Sequence, residues 1–156
     1  MTVESTKSST RPRIAIWTPM PPLKTGVADY ISELLPFLEQ AVDLEIFIDE
    51  GYDVSADLHK RYKIFPFTDY EERSQKKAFD LNIYQMGNNP FHIFIYEQAL
   101  KVPGLVVLHD LSISYILYHY YIGIHYDFET FRKEFAHSEG AEALEKFSRI
   151  YKTNDN

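Results

Sequence analysis

The chain has 156 residues, a length typical of one domain with a substantial core. It contains no cysteine, which excludes disulfides, thiolate metal sites and cysteine nucleophiles. Its net charge of −7 argues against a nucleic-acid-binding protein, because nucleic-acid-binding surfaces are basic. Binding of an anionic ligand is still compatible with this charge, since backbone N–H groups at a helix N-terminus bind phosphate without net positive charge.

The two ends of the chain are polar. The stretch "MTVESTKSSTRPR" lacks the apolar core of a signal peptide, and we expect residues 1–12 and 152–156 to be disordered tails. The most apolar stretch, from Leu105 to Ile124, is interrupted by His109 and Asp110, so it does not resemble a membrane span. Together with the lack of cysteine, these features indicate a soluble, cytoplasmic protein.

A strand and a helix are predicted first along the chain. The run "RIAIWT" (Arg13–Thr18) lies between two prolines and predicts a buried strand. After a proline-rich loop, apolar residues recur at helical spacing from Val27, which predicts a helix ending near Gln40. Pro36 falls inside this pattern and should kink the helix or shorten its last turn.

The middle of the chain predicts three further strands, which are Val42–Ile48, Tyr62–Phe65 and Leu81–Met86. Between them, residues 49–58 are predicted as a loop and residues 69–77 as a helix. Asn89 is a natural N-cap and Pro90 a natural first residue of the next helix, which Pro103 and Gly104 end.

The run "LVVLHD" follows, and its unbroken apolar part predicts a parallel strand buried on both faces. Three helices are then predicted, over residues 111–122, 126–136 and 139–150. Alternating strands and helices predict an α/β fold: a three-layer Rossmann-like domain with a mostly parallel sheet, helices on both faces and a helical C-terminal part.

Three features follow the carboxyl ends of predicted strands, where open parallel sheets bind their ligands. They are the loop Pro19–Gly26, the segment Gly87–Asn89 and the pair His109 and Asp110. The sequence therefore predicts that these features share one rim of the sheet.

Gly26 follows Thr25 near the start of the first helix, where a missing side chain lets a ligand approach the backbone. The plain alternative is a glycine that a tight turn requires, and "TGVADY" is not a dinucleotide-binding fingerprint. Asp29 lies in the first turn, where a carboxylate either stabilises the helix or contacts a ligand.

His109 and Asp110 place two titratable groups at the end of an apolar strand, where the imidazole can donate or accept hydrogen bonds. The plain alternative is that Asp110 caps the following helix while His109 packs against it. Asn89 is expected to be a cap, whereas Asn88 has no such duty. His119 and His125 do not have metal-ligand spacing, and no zinc site is expected.

Three stretches resemble the N-terminal half of a family 4 glycosyltransferase with the GT-B fold: "PMPPLKTGVADYISELLPFL", "YQMGNNPFHIFIYEQAL" and "VPGLVVLHDLSISYIL". The resemblance runs from about Arg13 to about Ile150. It implies a retaining enzyme that needs no metal and no cofactor, with an acceptor domain facing a nucleotide-sugar domain across a cleft. Residues 13–151 would then be the acceptor-side domain, itself incomplete, with the donor-binding domain absent. The chain alone is therefore expected to be inactive.

The resemblance also implies roles for particular residues. His109 would hydrogen-bond the transferred sugar, and Asp110 would orient the strand end. The substrate-binding residues would be Thr25, Gly26, Asp29, Tyr30, Asn88 and Asn89. The implied partners are a nucleotide-sugar, a glycan or lipid-linked acceptor and the missing donor domain, and the complete enzyme could associate peripherally with a membrane.

Two other classes of protein stay open from the sequence. One is a stand-alone noncatalytic binding or interaction module of Rossmann-like fold. The other is a flavodoxin-like domain, although the proline-rich loop is unlike a phosphate-cradling Ser/Thr loop. Self-association through exposed apolar surface is open in each case.

Overall fold

The computed structural model describes residues 11–152, with side chains as far as Arg149. It has an α/β fold with a five-stranded parallel sheet flanked by helices, which confirms the predicted fold class. The strands are β1 (Arg13–Trp17), β2 (Asp43–Ile48), β3 (Lys63–Pro66), β4 (Leu81–Met86) and β5 (Leu105–Leu108). Their order in the sheet is β3-β2-β1-β4-β5. The expected tails lie mostly outside the described residues, which begin at Arg11.

The helices follow the strands in alternation and then fill the C-terminal part. They are α1 (Gly26–Ala41), α2 (Ala56–Arg61), α3 (Tyr70–Lys76), α4 (Ile93–Lys101), α5 (Ser114–Leu117), α6 (Phe128–Glu139) and α7 (Ala141–Lys152). Short 3-10 turns at Phe67–Asp69 and Pro90–His92 lead into α3 and α4, and a π-helical segment, Tyr118–Ile124, continues α5. In the described part of the chain, none of these helices is both long and apolar enough to cross a membrane.

The described chain divides within β4 into two compact units, with the boundary between Ile83 and Tyr84. In the first unit, β1 pairs with β2 in a register that places Trp17 beside Phe47, and β2 pairs with β3. Trp17 and Phe47 are fully buried and stack at 5.0 Å between ring centroids. Tyr70 of α3 packs on both rings and holds that helix against the sheet.

A buried ion-pair cluster lies at the start of β1 in the first unit. The guanidinium of Arg13 lies 2.8 Å from one carboxylate oxygen of Glu45, and Arg73 Nε donates to the other across 2.6 Å. Arg13 and Glu45 are both buried. Arg13 also stacks over the ring of Phe79, and its backbone N–H donates to Asp80.

The second unit packs its helices around aromatic side chains. Phe131 of α6 is fully buried and lies 5.2 Å from the ring of Phe147 on α7 and 5.3 Å from the ring of Phe135. Tyr118, at the start of the π-helical segment, meets Phe131 edge to face. These contacts tie α5, α6 and α7 together.

Three predictions about helices need correction. The segment predicted as loop over residues 49–58 ends in α2, because Ser55 Oγ accepts from the N–H of Leu58 and caps that helix. Pro36 does not shorten α1, which continues to Ala41. The helix predicted from Leu111 begins only at Ser114.

The prediction that β5 is buried on both faces is wrong. Its residues Leu105, Val106 and Leu108 are 51%, 43% and 60% exposed. The physical reason is position: β5 is the last strand in the sheet order, so one of its sides has no neighbouring strand among the described residues. The apolar run of the sequence could not distinguish a central strand from an uncovered edge.

Candidate functional site

In the second unit, the segment after β4 and the segment after β5 lie together. The N–H of His109 donates to the carbonyl oxygen of Met86 across 2.8 Å, which continues the strand pairing. The N–H of Asn88 donates to Oδ2 of Asp110 across 2.6 Å. Two of the three features that the sequence placed at strand ends are thus joined by direct hydrogen bonds.

Asn88 has a structural duty that the sequence analysis missed. Its side-chain Oδ1 accepts from the N–H of Tyr115 at 2.9 Å and from the N–H of Ile116 at 3.2 Å. These are N–H groups at the start of a helix, which otherwise lack intrahelical partners. Asn88 therefore holds the start of α5, while Asp110, the expected alternative cap, accepts from Asn88 instead.

The prediction that Asn89 is an N-cap is confirmed. Its Oδ1 accepts from the N–H of Phe91 at 3.0 Å, with Pro90 as the first residue of the turn that leads into α4. The same oxygen lies 3.0 Å from Nδ1 of His92. Because Oδ1 is an acceptor, the His92 ring donates from Nδ1.

His92 is a buried residue of the site that the sequence analysis missed. It is fully buried, and its Nε2 has no hydrogen-bond partner among the described residues. Burial lowers the pKa of His92 from 6.5 to about 4, so the ring stays neutral at physiological pH. The sequence signal was its position three residues after Asn89 in "NNPFH".

Gly87 is required because the His92 ring occupies the space that a side chain would need. A Cβ built on Gly87 would lie 2.8 Å from Cε1 of His92. Such a distance is too short for two carbon atoms, whose best separation is about 3.5–4.0 Å. The pair fixes the backbone of the segment Gly87–Asn89.

His109 is oriented by a buried amide. Its Nε2 lies 2.7 Å from Oε1 of Gln85, a side chain that is 2% exposed. Because Oε1 accepts, Nε2 carries the proton and Nδ1 is the acceptor nitrogen of the ring. Partial burial lowers the pKa of His109, with the carboxylate of Asp110 acting in the opposite direction. The ring is therefore neutral near pH 7 and can accept a hydrogen bond from a hydroxyl group.

In the first unit, Thr25 and Gly26 begin α1. Thr25 Oγ1 accepts from the N–H of Ala28 at 3.0 Å, so Thr25 is the N-cap. A Cβ built on Gly26 would meet no atom within 4 Å, and Gly26 is not among the glycines with positive φ. Neither a tight turn nor close packing within this unit therefore requires glycine here.

Asp29 and Tyr30 lie on the first turns of α1 with exposed side chains. The N–H of Asp29 donates to the carbonyl oxygen of Thr25, as expected for the first helical turn. A carboxylate in this turn stabilises the helix whatever else it contacts. Both predicted roles of Asp29 are compatible with this position.

The loop between β1 and α1 is held from within its own unit. Met20 is fully buried, and its N–H donates to the hydroxyl oxygen of Tyr52 across 3.0 Å. The N–H of Leu23 donates back to the carbonyl oxygen of Met20, and the peptide bond between Pro21 and Pro22 is cis. These contacts place the start of α1 at a defined position relative to β1.

A pocket in the first unit was not anticipated from the sequence. It has a volume of about 290 Å³ and lies where β2 and β3 end. Its polar lining includes Asp49, Glu50, Asp53 and His59, and Glu50 accepts a hydrogen bond from Thr68. For the acidic run after β2 the sequence predicts only a loop.

The part of the chain that the structure describes has no preformed metal site. Residues 11–152 contain no group of three or more histidine, aspartate or glutamate side chains arranged to hold a metal ion. The polar groups of the candidate site are a neutral imidazole, side-chain amides and backbone N–H groups, all of which form hydrogen bonds. No family model, curated protein or solved structure matches the chain.

Proposed function

We propose that the chain is the acceptor-side, N-terminal part of a retaining GT-B glycosyltransferase, which transfers a sugar from a nucleotide-sugar to an acceptor. The observation that carries this proposal is the position of three features within the stretches on which the family resemblance rests. The loop Pro19–Gly26, the segment Gly87–Asn89 and the pair His109 and Asp110 follow the carboxyl ends of β1, β4 and β5 in a parallel sheet. Ligands of such sheets bind outside the carboxyl ends of the strands.

His109 is the proposed sugar-contacting residue. Its Nε2–H is engaged by the buried Gln85, so Nδ1 is the acceptor nitrogen of this tautomer. A sugar hydroxyl is a matching donor, and a neutral ring is needed for that contact. The lowered pKa of His109 supports a neutral ring at the pH of the cytoplasm, where we place the enzyme.

The start of α1 is the proposed diphosphate- and acceptor-facing segment. The open space at Gly26 admits a close approach to the backbone, and the helix N-terminus favours negative charge. Charge accumulates on the leaving diphosphate during sugar transfer, so N–H donors there stabilise the transition state most. Asp29 and Tyr30, whose side chains are exposed, are the proposed acceptor contacts.

Asn88, Asn89 and Asp110 act in this proposal as supports of the site. The side-chain oxygens of both asparagines are engaged within the protein, and Asp110 accepts from Asn88. They hold the backbone beside His109 in place. Their contribution is therefore to the geometry of the site, and among the residues after β4 and β5 we propose direct substrate contact for His109.

A donor-binding domain must complete the enzyme, and the chain alone is expected to transfer no sugar. The acceptor is a glycan or a lipid-linked sugar, with peripheral membrane association of the complete enzyme in the second case. Turnover of any nucleotide-sugar by the purified chain at a rate typical of enzymes, about 1 s⁻¹ or faster, would contradict this expectation.

Binding to a panel of ligands tests the proposal directly. Saturation-transfer NMR with monosaccharides, oligosaccharides, nucleotide-sugars and flavin mononucleotide should detect weak binding of saccharide-containing ligands, and His109→Ala should weaken it about tenfold or more. The comparison variant is His59→Ala, which removes an exposed imidazole that lines the pocket of the first unit. It should leave binding unchanged, whereas weaker binding would place the ligand in that pocket and contradict the proposal. Flavin binding without saccharide binding would instead support the flavodoxin-like alternative.

A noncatalytic interaction module is the second candidate, and one observation favours it. The exposed apolar residues of β5 are an unusual feature for the surface of a free-standing protein. Absence of saccharide and nucleotide-sugar binding at millimolar concentration would favour the interaction module over the glycosyltransferase part.

A further inference from the structure

His92 leaves one of its two ring nitrogens without a hydrogen-bond partner. Nε2 is buried and accepts from no donor among the described residues, whereas Nδ1 lies 3.0 Å from Oδ1 of Asn89. A neutral imidazole carries one donor nitrogen and one acceptor nitrogen. Since Nδ1 donates, Nε2 is a buried acceptor, and burying an unpaired acceptor costs free energy. Native proteins contain few such groups, so each requires an explanation.

An apolar ring in the place of His92 would avoid this cost. The ring of His92 is fully buried, and its edge lies against Gly87, where a Cβ would be 3.0 Å from Nε2. A phenylalanine ring would carry no unpaired polar atom into this space. The group that histidine supplies and phenylalanine lacks is therefore the Nδ1–H donor to Asn89. Departures from good core packing of this kind are expected at functional sites.

The Nδ1–H donor holds a turn that further hydrogen bonds connect to the candidate site. Oδ1 of Asn89 accepts from both Nδ1 of His92 and the N–H of Phe91, which fixes the side chain of Asn89 between them. The preceding residue is Asn88, whose N–H donates to Asp110 and whose Oδ1 accepts from the start of α5. Asn88 makes these bonds only while the turn keeps its backbone conformation.

We propose that His92 is a positioning residue of the candidate site, which acts through its Nδ1–H bond to Asn89. This bond fixes the segment Gly87–Asn89, and the segment in turn fixes Asp110 beside His109. Because His92 is fully buried, it acts without touching a ligand. The effect of His92 on saccharide binding rests on the proposed function, whereas its effect on the geometry of the segment does not.

Two substitutions separate the parts of the ring. His92→Phe keeps a buried ring and removes the donor. His92→Asn places an amide N–H near the position of Nδ1 and removes the rest of the ring. Both variants lack the acceptor Nε2. Only a requirement for the Nδ1 donor predicts that the asparagine variant behaves like the wild type while the phenylalanine variant does not.

Amide hydrogen exchange measures the geometry of the segment without any ligand. The exchange ratio is the rate at the N–H groups of Asn88 and Ile116 divided by the rate at Phe131 in α6, whose N–H donates to Asp127. Division by the Phe131 rate removes a general loss of stability, which speeds exchange throughout the chain. His92→Phe should raise the exchange ratio about tenfold or more, because the acceptors of Asn88 and Ile116 are no longer held in place. His92→Asn should change it by less than about threefold.

Saccharide binding should follow the same order. With the monosaccharides and oligosaccharides of the binding panel as probes, His92→Phe should raise the dissociation constant about tenfold, and His92→Asn should change it by less than about threefold. If the wild-type chain binds none of these probes, the proposed function fails, while the exchange ratio still decides whether His92 positions the segment.

Three patterns of the exchange ratio would overturn the inference. A rise in His92→Asn alone would show that the volume of the ring matters and the donor does not. Equal rises in both variants would show that Nε2, which both lack, makes a required contact. No rise in either variant would show that the bond to Asn89 does not hold the segment.

A further measurement and a further variant keep the test decisive if His92→Phe fails to fold. Nitrogen-15 NMR of the wild-type imidazole should show a neutral His92 protonated at Nδ1, and protonation at Nε2 would overturn the inference. His92→Leu also lacks the donor, is smaller than phenylalanine, and should raise the exchange ratio in the same way.

Discussion

The backbone N–H of Asn88 donates to Oδ2 of Asp110 across 2.6 Å, which ties the segment after β4 to the segment after β5. The side chain of Asn88 extends this connection, since its Oδ1 accepts from the first N–H groups of α5. One residue therefore joins three elements of the second unit. The hydrogen bonds of Asn88 therefore fix the relative positions of these elements at the candidate site.

Asn88→Ala should destabilise the protein by about 1–2 kcal/mol, because two N–H groups lose their acceptor. Chemical denaturation followed by circular dichroism measures the change. Gln75→Ala is the control, since it removes an exposed amide that donates to Glu71 in α3 and should cost under about 0.5 kcal/mol. Equal effects of the two substitutions would show that Asn88 has no special role.

Gly87→Ala should destabilise the protein by about 1–3 kcal/mol, because the new methyl group overlaps the buried ring of His92. Gly26→Ala is the matched control: the new methyl group meets open space at the start of a helix, where alanine is favoured. Its stability should be unchanged or higher. Adding His92→Ala to Gly87→Ala should recover part of the loss, and strict additivity of the two changes would contradict direct contact.

The stability of the protein should depend on pH through His92. The folded pKa of about 4 lies below the ordinary value of 6.5, so between these values the unfolded chain binds more protons than the folded chain. Stability therefore falls as the pH falls through this window, by up to about 3 kcal/mol. Denaturation midpoints measured from pH 7 to pH 4 should show the decline.

His92→Gln separates this effect from those of carboxylates. Glu45 also contributes pH dependence: burial raises the pKa of its carboxyl, but hydrogen bonds from Arg73 and Arg13 and the charges of these two residues together outweigh burial, so the pKa is lowered. Its stabilisation is lost at lower pH, as the carboxylate becomes protonated. The glutamine variant keeps this carboxylate and should show a flatter profile between pH 6.5 and about 4. Identical profiles in the variant and the wild type would rule out His92 as the source.

Glu45→Ala should destabilise the first unit by about 3–5 kcal/mol, because it leaves the buried guanidinium of Arg13 without its partner. Glu39→Ala removes a carboxylate that pairs with the exposed Arg61 and should cost at most about 1 kcal/mol. Thermal or urea denaturation distinguishes the two. Similar losses of stability in Glu45→Ala and Glu39→Ala would contradict the claim that the buried ion pair of Arg13 and Glu45 matters more than the exposed pair of Arg61 and Glu39.

The sheet and most helices could be predicted because each depends on local pattern. The run before Pro19 predicted β1, and the pair Asn89 and Pro90 predicted the turn that opens α4. The exposure of β5 could not be predicted, because burial of an apolar strand depends on which strands lie beside it. The sequence also could not predict the hydrogen bond between His109 and Gln85 or the acceptor role of Asn88, because the bonded residues lie far apart along the chain.

Amide chemical-shift mapping with a bound saccharide tests the central claim most directly. In two-dimensional NMR of the isotopically labelled chain, the ligand found in the binding panel should shift amides of the segments 87–89 and 109–110 together, and His109→Ala should abolish these shifts. Shifts confined to the pocket at Asp49 and Asp53, or no shifts at millimolar ligand, would contradict the assignment of this chain to sugar transfer.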